Sequence, residues 1–96
     1  MATERQYPRV GFKIMATVTG VKGTCSAGHK PGDAFEISAH NTAGLCGFFY
    51  HDIFPYLIML QFGGQFPPEW GGGDTLTLQC MDRYNEVSLE LRRVRE

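Results

Sequence analysis

The sequence predicts an α+β domain, and three observations carry that prediction. Residues 10–21, 75–81 and 86–94 each alternate apolar and polar side chains, the period of a half-buried strand. Between them, Leu45, Phe48, Phe49 and Asp52 fall at i, i+3, i+4 and i+7, with Ile53 extending the apolar side, which is helical spacing. A shorter alternating run at 34–38 completes a β-β-α-β-β order, a mainly antiparallel sheet packed on one side by a helix broken or kinked at Pro55. With 96 residues there is room for one modest core, so residues 1–96 are read as a single domain with 1–8 frayed.

In the first strand, Phe12, Ile14, Ala16 and Val18 point one way and Lys13, Met15, Thr17 and Thr19 the other. Gly20 and Gly23 break the pattern, and residues 22–29 read as an irregular loop holding Cys25 and His29. Lys30-Pro31-Gly32-Asp33 places proline second and glycine third, as a type II turn requires. Phe35 and Ile37 share one face of the second strand. Asn41 or Thr42 is suited to cap a helix beginning near Ala43 or Gly44. Pro55 is expected to interrupt that helix and open a second short one through about Gln61, which Phe62-Gly63-Gly64 ends. Residues 63–74 hold five glycines and two prolines and read as a surface loop anchored by Phe66 and Trp70. Leu76, Leu78 and Cys80 then face one side of the third strand, Val87, Leu89 and Leu91 one side of the fourth, and Asp82-Arg83-Tyr84-Asn85 suits a tight hairpin between them.

Nine Lys and Arg against ten Asp and Glu leave a net charge of −1, which supplies no field to gather nucleic acid or anionic lipid. The longest apolar run, interrupted by Pro55, falls far short of the roughly 20 residues needed to span a bilayer. An odd set of three cysteines with no secretory start argues against a disulfide framework and for a cytoplasmic protein. Arg92, Arg93 and Arg95, diluted by Glu90 and Glu96, read as a solvated strand end, His40 as an exposed turn residue, and His51-Asp52 as a solvated pair. Gly71-Gly72-Gly73 lacks the lysine and hydroxyl of a phosphate-binding loop.

The densest chemistry is Cys25-x-x-x-His29, two ligands for a borderline metal ion within a glycine-bearing loop. Cys46 near the helix start and Cys80 on a strand complete a three-cysteine, one-histidine set suited to tetrahedral zinc, although the separations of 21 and 34 residues are not those of a zinc finger. Iron–sulfur ligation by the same thiols is a further option. The plain alternative for Cys80 is an ordinary core thiol. Cys46 has another reading as a reactive thiol, since a helix N-terminus lowers a thiol pKa, with His29, or second to it His51, as its base. Tyr56, Phe66 and Trp70, beside a proline-bearing loop, are candidates for a pocket or an interface.

Residues 22–37, Lys-Gly-Thr-Cys-Ser-Ala-Gly-His-Lys-Pro-Gly-Asp-Ala-Phe-Glu-Ile, resemble a family of small bacterial and archaeal proteins with the signature Lys-Gly-x-Cys-Pro-x-Gly-His-x-x-Gly-Asp-x-Phe. The likeness continues through Gly44-Leu45-Cys46, Pro55-Tyr56, Phe62-Gly63-Gly64-Gln65-Phe66-Pro67 and the Cys80-x-Asp82 step, and so covers most of the chain after about residue 10. Ser26 and Met81 stand where that family carries proline, and Pro68 is extra, but every candidate ligand is kept. The resemblance implies that Cys25, His29, Cys46 and Cys80 belong to a shared signature, and it supplies no activity. The function expected from the sequence is a small non-catalytic accessory or binding module with a structural zinc site, acting as a homo-oligomer or on a larger protein partner. The alternative is a small metal- or cysteine-dependent enzyme using Cys46 and His29.

Overall fold

A computed structural model describes residues 10–23, 28–80 and 84–95. Within these residues four strands and one α-helix form: β1 (Lys13–Val21), β2 (Ala34–Ile37), α1 (Gly47–Gln61), β3 (Thr75–Gln79) and β4 (Val87–Val94), with a 3₁₀ turn at Pro68–Trp70 before β3. The strands make one fully antiparallel sheet in the order β2-β1-β4-β3.

Register decides which side chains meet. Ile14 lies opposite Ile37, Ala16 opposite Phe35 and Leu91, and Leu89 opposite both Val18 and Leu78. Residues directly opposite one another share a sheet face, so these stripes form one apolar surface. On it, Ile14, Ala16, Val18, Ile37, Val87, Leu89 and Leu91 are buried. Phe49, Ile53, Leu57 and Leu60 of α1, four buried residues at helical spacing, close the core from above together with Leu45. The register shifts between Val18 and Gly20, ending the regular alternation where the sequence places a glycine within β1. The Lys30–Asp33 turn forms as expected: the Asp33 amide donates to the Lys30 carbonyl at 3.1 Å, and Gly32 has φ of 93°.

Two details of the helix differ from the sequence expectation. Asn41 and Thr42 do not cap it, because Ala43 and Gly44 both take positive φ, 55° and 77°, which is incompatible with a right-handed helix. Asn41 instead accepts the Ala43 amide on its side-chain oxygen at 2.9 Å and exchanges backbone hydrogen bonds with Ser38. The helix begins at Gly47, with Cys46 as an N-cap residue that makes no side-chain capping bond. Pro55 lies inside one continuous 15-residue helix and does not open a second one. An interior proline costs about 3 kcal/mol, chiefly through a lost hydrogen bond to the carbonyl four residues back. Here both Pro55 and that residue, His51, lie on the exposed side, while Ile53 and Leu57 on either side of Pro55 are fully buried. Burial worth roughly 1.5–3 kcal/mol for each of those side chains outweighs the local cost.

Candidate functional site

The candidate thiol and imidazole residues sit at the ends of elements. His29 precedes the turn into β2, Cys46 caps α1, and Cys80 follows β3; Cys25 and residues 1–8, expected to be frayed, lie outside the described residues, as does part of the 82–85 connection. The ends concerned are the start of β2, the start of α1 and the finish of β3. The finish of β1 is beside them, since the Lys22 backbone amide donates to the Glu86 carbonyl at 2.7 Å. Cys80 is half-buried against the core, and its sulfur accepts the Val87 amide at 3.1 Å. Cys46 is half-buried too, and a shallow concavity beside it is lined by Gly47, Phe48 and His51. His29 Nε2 is buried and meets no hydrogen-bond partner among the described residues. A buried polar nitrogen left this way is unusual in a folded protein. Among the described residues no three His, Cys, Asp or Glu side chains gather closely enough to hold a metal ion.

The aromatic candidates do come together. The Tyr56 and Phe66 rings are 6.0 Å apart and the Phe66 and Trp70 rings 5.8 Å apart, both tilted, within the range in which aromatic pairs attract. Trp70 stays 71% exposed at the end of this ladder, held on a turn in which its amide donates to Pro67 and that of Gly71 to Pro68. Further along the outer side of α1, Phe48 is 72% exposed, Tyr50 and Phe54 pack at 5.6 Å, and a second concavity lies between Tyr50, His51, Phe54 and Pro55. The Tyr50 hydroxyl donates to the Ser38 carbonyl at 2.7 Å, and burial raises its pKa. His51 and Asp52 form the solvated pair expected, 3.6 Å apart, and His40 is exposed.

Sequence reasoning missed the polar lock at the opposite end of the sheet. Arg93, expected to be solvated, is buried: on β4 it continues the inward parity of Val87, Leu89 and Leu91. Its guanidinium donates to Asp74 from Nε at 2.9 Å and Nη2 at 2.8 Å, to the Leu60 and Gly64 carbonyls from Nη1 at 3.1 and 2.7 Å, and to the Gln65 side-chain oxygen from Nη2 at 3.2 Å. Arg93 and Arg95 both lie 5.3 Å from the Phe12 ring centre. Hydrogen bonds from Arg95 first and Arg93 second hold the Asp74 carboxyl below its ordinary pKa. Gln61 works alongside: its side chain accepts the Ala39 amide and donates to the Val10 carbonyl, each at 2.8 Å, and its own carbonyl accepts Phe12 N–H at 2.7 Å. The strict alternation of 87, 89, 91 and 93 was the available signal for Arg93; nothing in the local pattern marks Gln61.

Among the described residues, no helix is long and apolar enough to cross a membrane. Comparison with protein-family models, with curated proteins and with solved structures returns no match.

Proposed function

We propose that this chain is a small binding module whose partner surface is the outer side of α1 continued by the Pro68–Trp70 turn. The carrying observation is the ladder Tyr56–Phe66–Trp70, which leaves an exposed tryptophan beside an outer helix side bearing Phe48 and Phe54. A helix with apolar residues on both sides ordinarily has both sides covered, and α1 has the sheet against only one. Fixed aromatic residues with little rotamer entropy to lose are typical binding anchors. The partner suited to this surface is a protein presenting an apolar segment, since α1 carries no lysine or arginine and one acidic residue, Asp52. The test places a photoreactive amino acid at Phe48 or Trp70 of the full chain in its native cells, with Arg92, exposed on the far sheet face of the central strand β4, as control. The same protein captured from both aromatic positions and not from Arg92 supports the reading; equal labelling from all three defeats it.

A second reading is favoured by the orphaned His29 Nε2. Here His29 and the thiols Cys25, Cys46 and Cys80 hold a structural zinc ion, which ties element ends together and supplies no chemistry to a substrate.

A further inference from the structure

The two outer strands of the sheet are finished differently. The β2 edge is covered at its C-terminal end: the Glu36 carbonyl receives the Asn41 side-chain amide at 3.4 Å, and Ser38 beyond it exchanges both backbone bonds with Asn41. The β3 edge has no such cover among the described residues. Arg93 N–H donates to the Asp74 carbonyl and Cys80 N–H to the Val87 carbonyl, so residues 74, 76, 78 and 80 spend their main-chain groups on β4. By alternation, Thr75, Thr77 and Gln79 direct their N–H and C=O groups away from β4, and among the described residues no strand pairs with them. The strand Thr-Leu-Thr-Leu-Gln has no charge, no proline and no bulge, three of the devices that ordinarily protect an edge. Leu76 and Leu78 remain half-exposed on the core face, because α1 packs over β1 and β4.

We infer that β3 is a self-association edge, pairing antiparallel with β3 of a second copy of this chain about a two-fold axis at Thr77. In that register Thr77 faces its own copy and Thr75 faces the copy's Gln79, so all the outward N–H and C=O groups of the three residues are answered. A two-fold pairing sets each residue against its symmetry mate or a near neighbour, which penalises a charged strand through like-charge contact. A neutral Thr/Gln strand carries no such penalty, so the second copy is the occupant this edge fits. The product is a continuous eight-stranded sheet with both helices on the same face, leaving the aromatic surface of each copy free. This inference does not depend on the partner reading above.

Backbone amide exchange of the full-length protein, followed residue by residue at low and high concentration, tests it together with sedimentation equilibrium. The expected result is a reversible dimer of twice the 10.7 kDa chain mass. Thr75, Thr77 and Gln79 amides should be protected only at high concentration, and Leu76 and Leu78 amides at both. Thr77→Pro removes an outward N–H and spares the β4 ladder, as edge-strand proline does, so it should fold and be monomeric. Thr77→Lys puts two ammonium groups at the axis and should weaken the dimer by at least about tenfold. A monomer at every concentration, a dimer indifferent to both substitutions, or outward amides protected at all dilutions would overturn the inference. Trp70→Ala should leave the dimer unchanged; loss of the dimer there with retention in Thr77→Pro would move self-association to the aromatic surface and also refute it.

Discussion

Replacing Arg93 with methionine separates the polar lock from simple packing. Methionine keeps most of the length and can lie against Phe12, so little volume is lost, but all five guanidinium hydrogen bonds disappear. Asp74 is not stranded: its carboxylate is 37% exposed and keeps Arg95 at 2.8 Å. The cost therefore falls on carbonyl groups. Leu60 O retains Gly63 N–H at 3.2 Å and loses only the charged donor, a net loss of about 1 kcal/mol. Gly64 O loses its 2.7 Å donor in a half-buried position, at about 1–3 kcal/mol. The sum is about 2–4 kcal/mol, a large part of the roughly 5–14 kcal/mol expected for a chain of this size. Urea unfolding followed by circular dichroism measures it: with a slope of about 1 kcal/mol per molar, the midpoint should fall by roughly 2–4 M with the slope unchanged. Arg93→Lys, which can satisfy some of the same acceptors, should fall between. The reasoning is refuted if Arg93→Met unfolds within about 0.5 kcal/mol of the natural protein, the range of an ordinary surface substitution. It is equally refuted if Arg95→Ala, at an exposed position, costs as much as Arg93→Met.

The lock also sets a pH dependence. Asp74 has a lowered folded pKa, so its contribution is complete above the ordinary aspartate value near 3.9 and is lost as pH falls through the lowered value. Asp74→Asn should flatten the acid limb of a stability–pH curve measured from about pH 4 downward, and an unchanged limb would show that other carboxylates carry it. Gly11 has φ of 76°, and a β-carbon there would collide with the Gln61 carbonyl that holds Phe12 N–H. Gly11→Ala should therefore lower stability by at least about 2 kcal/mol, whereas Gly20→Ala, with open space around it, should stay within about 0.5 kcal/mol in the same titration.

The strands were legible because each displays its burial as a period of two; the stripe at Ile14, Ala16 and Val18 and that at Val87, Leu89 and Leu91 are the core itself. The turn at Pro31-Gly32 was legible because its chemistry is local. The helix start was not, since Asn41 has the chemistry of a cap and only the positive φ at Ala43 and Gly44 turns it to another use. Pro55 misled for a related reason: its cost is local and its compensation, the burial of Ile53 and Leu57, is tertiary. Arg93 was hidden by its neighbours, because a basic cluster beside glutamates reads as solvated until strand parity separates Arg93 from Arg92 and the end of β4 at Val94 separates it from Arg95. The aromatic set at Tyr56, Phe66 and Trp70 was visible as composition, but the ring contacts depend on how the glycine-rich loop returns to the helix.

The two ends of the domain are unequally tied, and this gives the zinc reading a signature of its own. Where β1 and β3 begin and α1 ends, Arg93, Asp74 and Gln61 bind three segments through side chains that are short of no partner. At the other end, α1 starts from Cys46 without a side-chain cap, so its first amides lack the partner a serine or aspartate would give. Local opening follows the weaker tie, and residues 45–50 should exchange their amide hydrogens sooner than residues 57–61. A zinc ion held by His29 and the thiols would act at that weak end alone. Zinc titrated into reduced, full-length protein should therefore slow exchange around Leu45, Phe49 and Val87 while leaving Leu60 and Arg93 as they were, and His29→Ala should abolish the effect. If zinc slows exchange equally at both ends, or the slowing survives in His29→Ala, the ion is acting elsewhere and the orphaned imidazole needs another explanation.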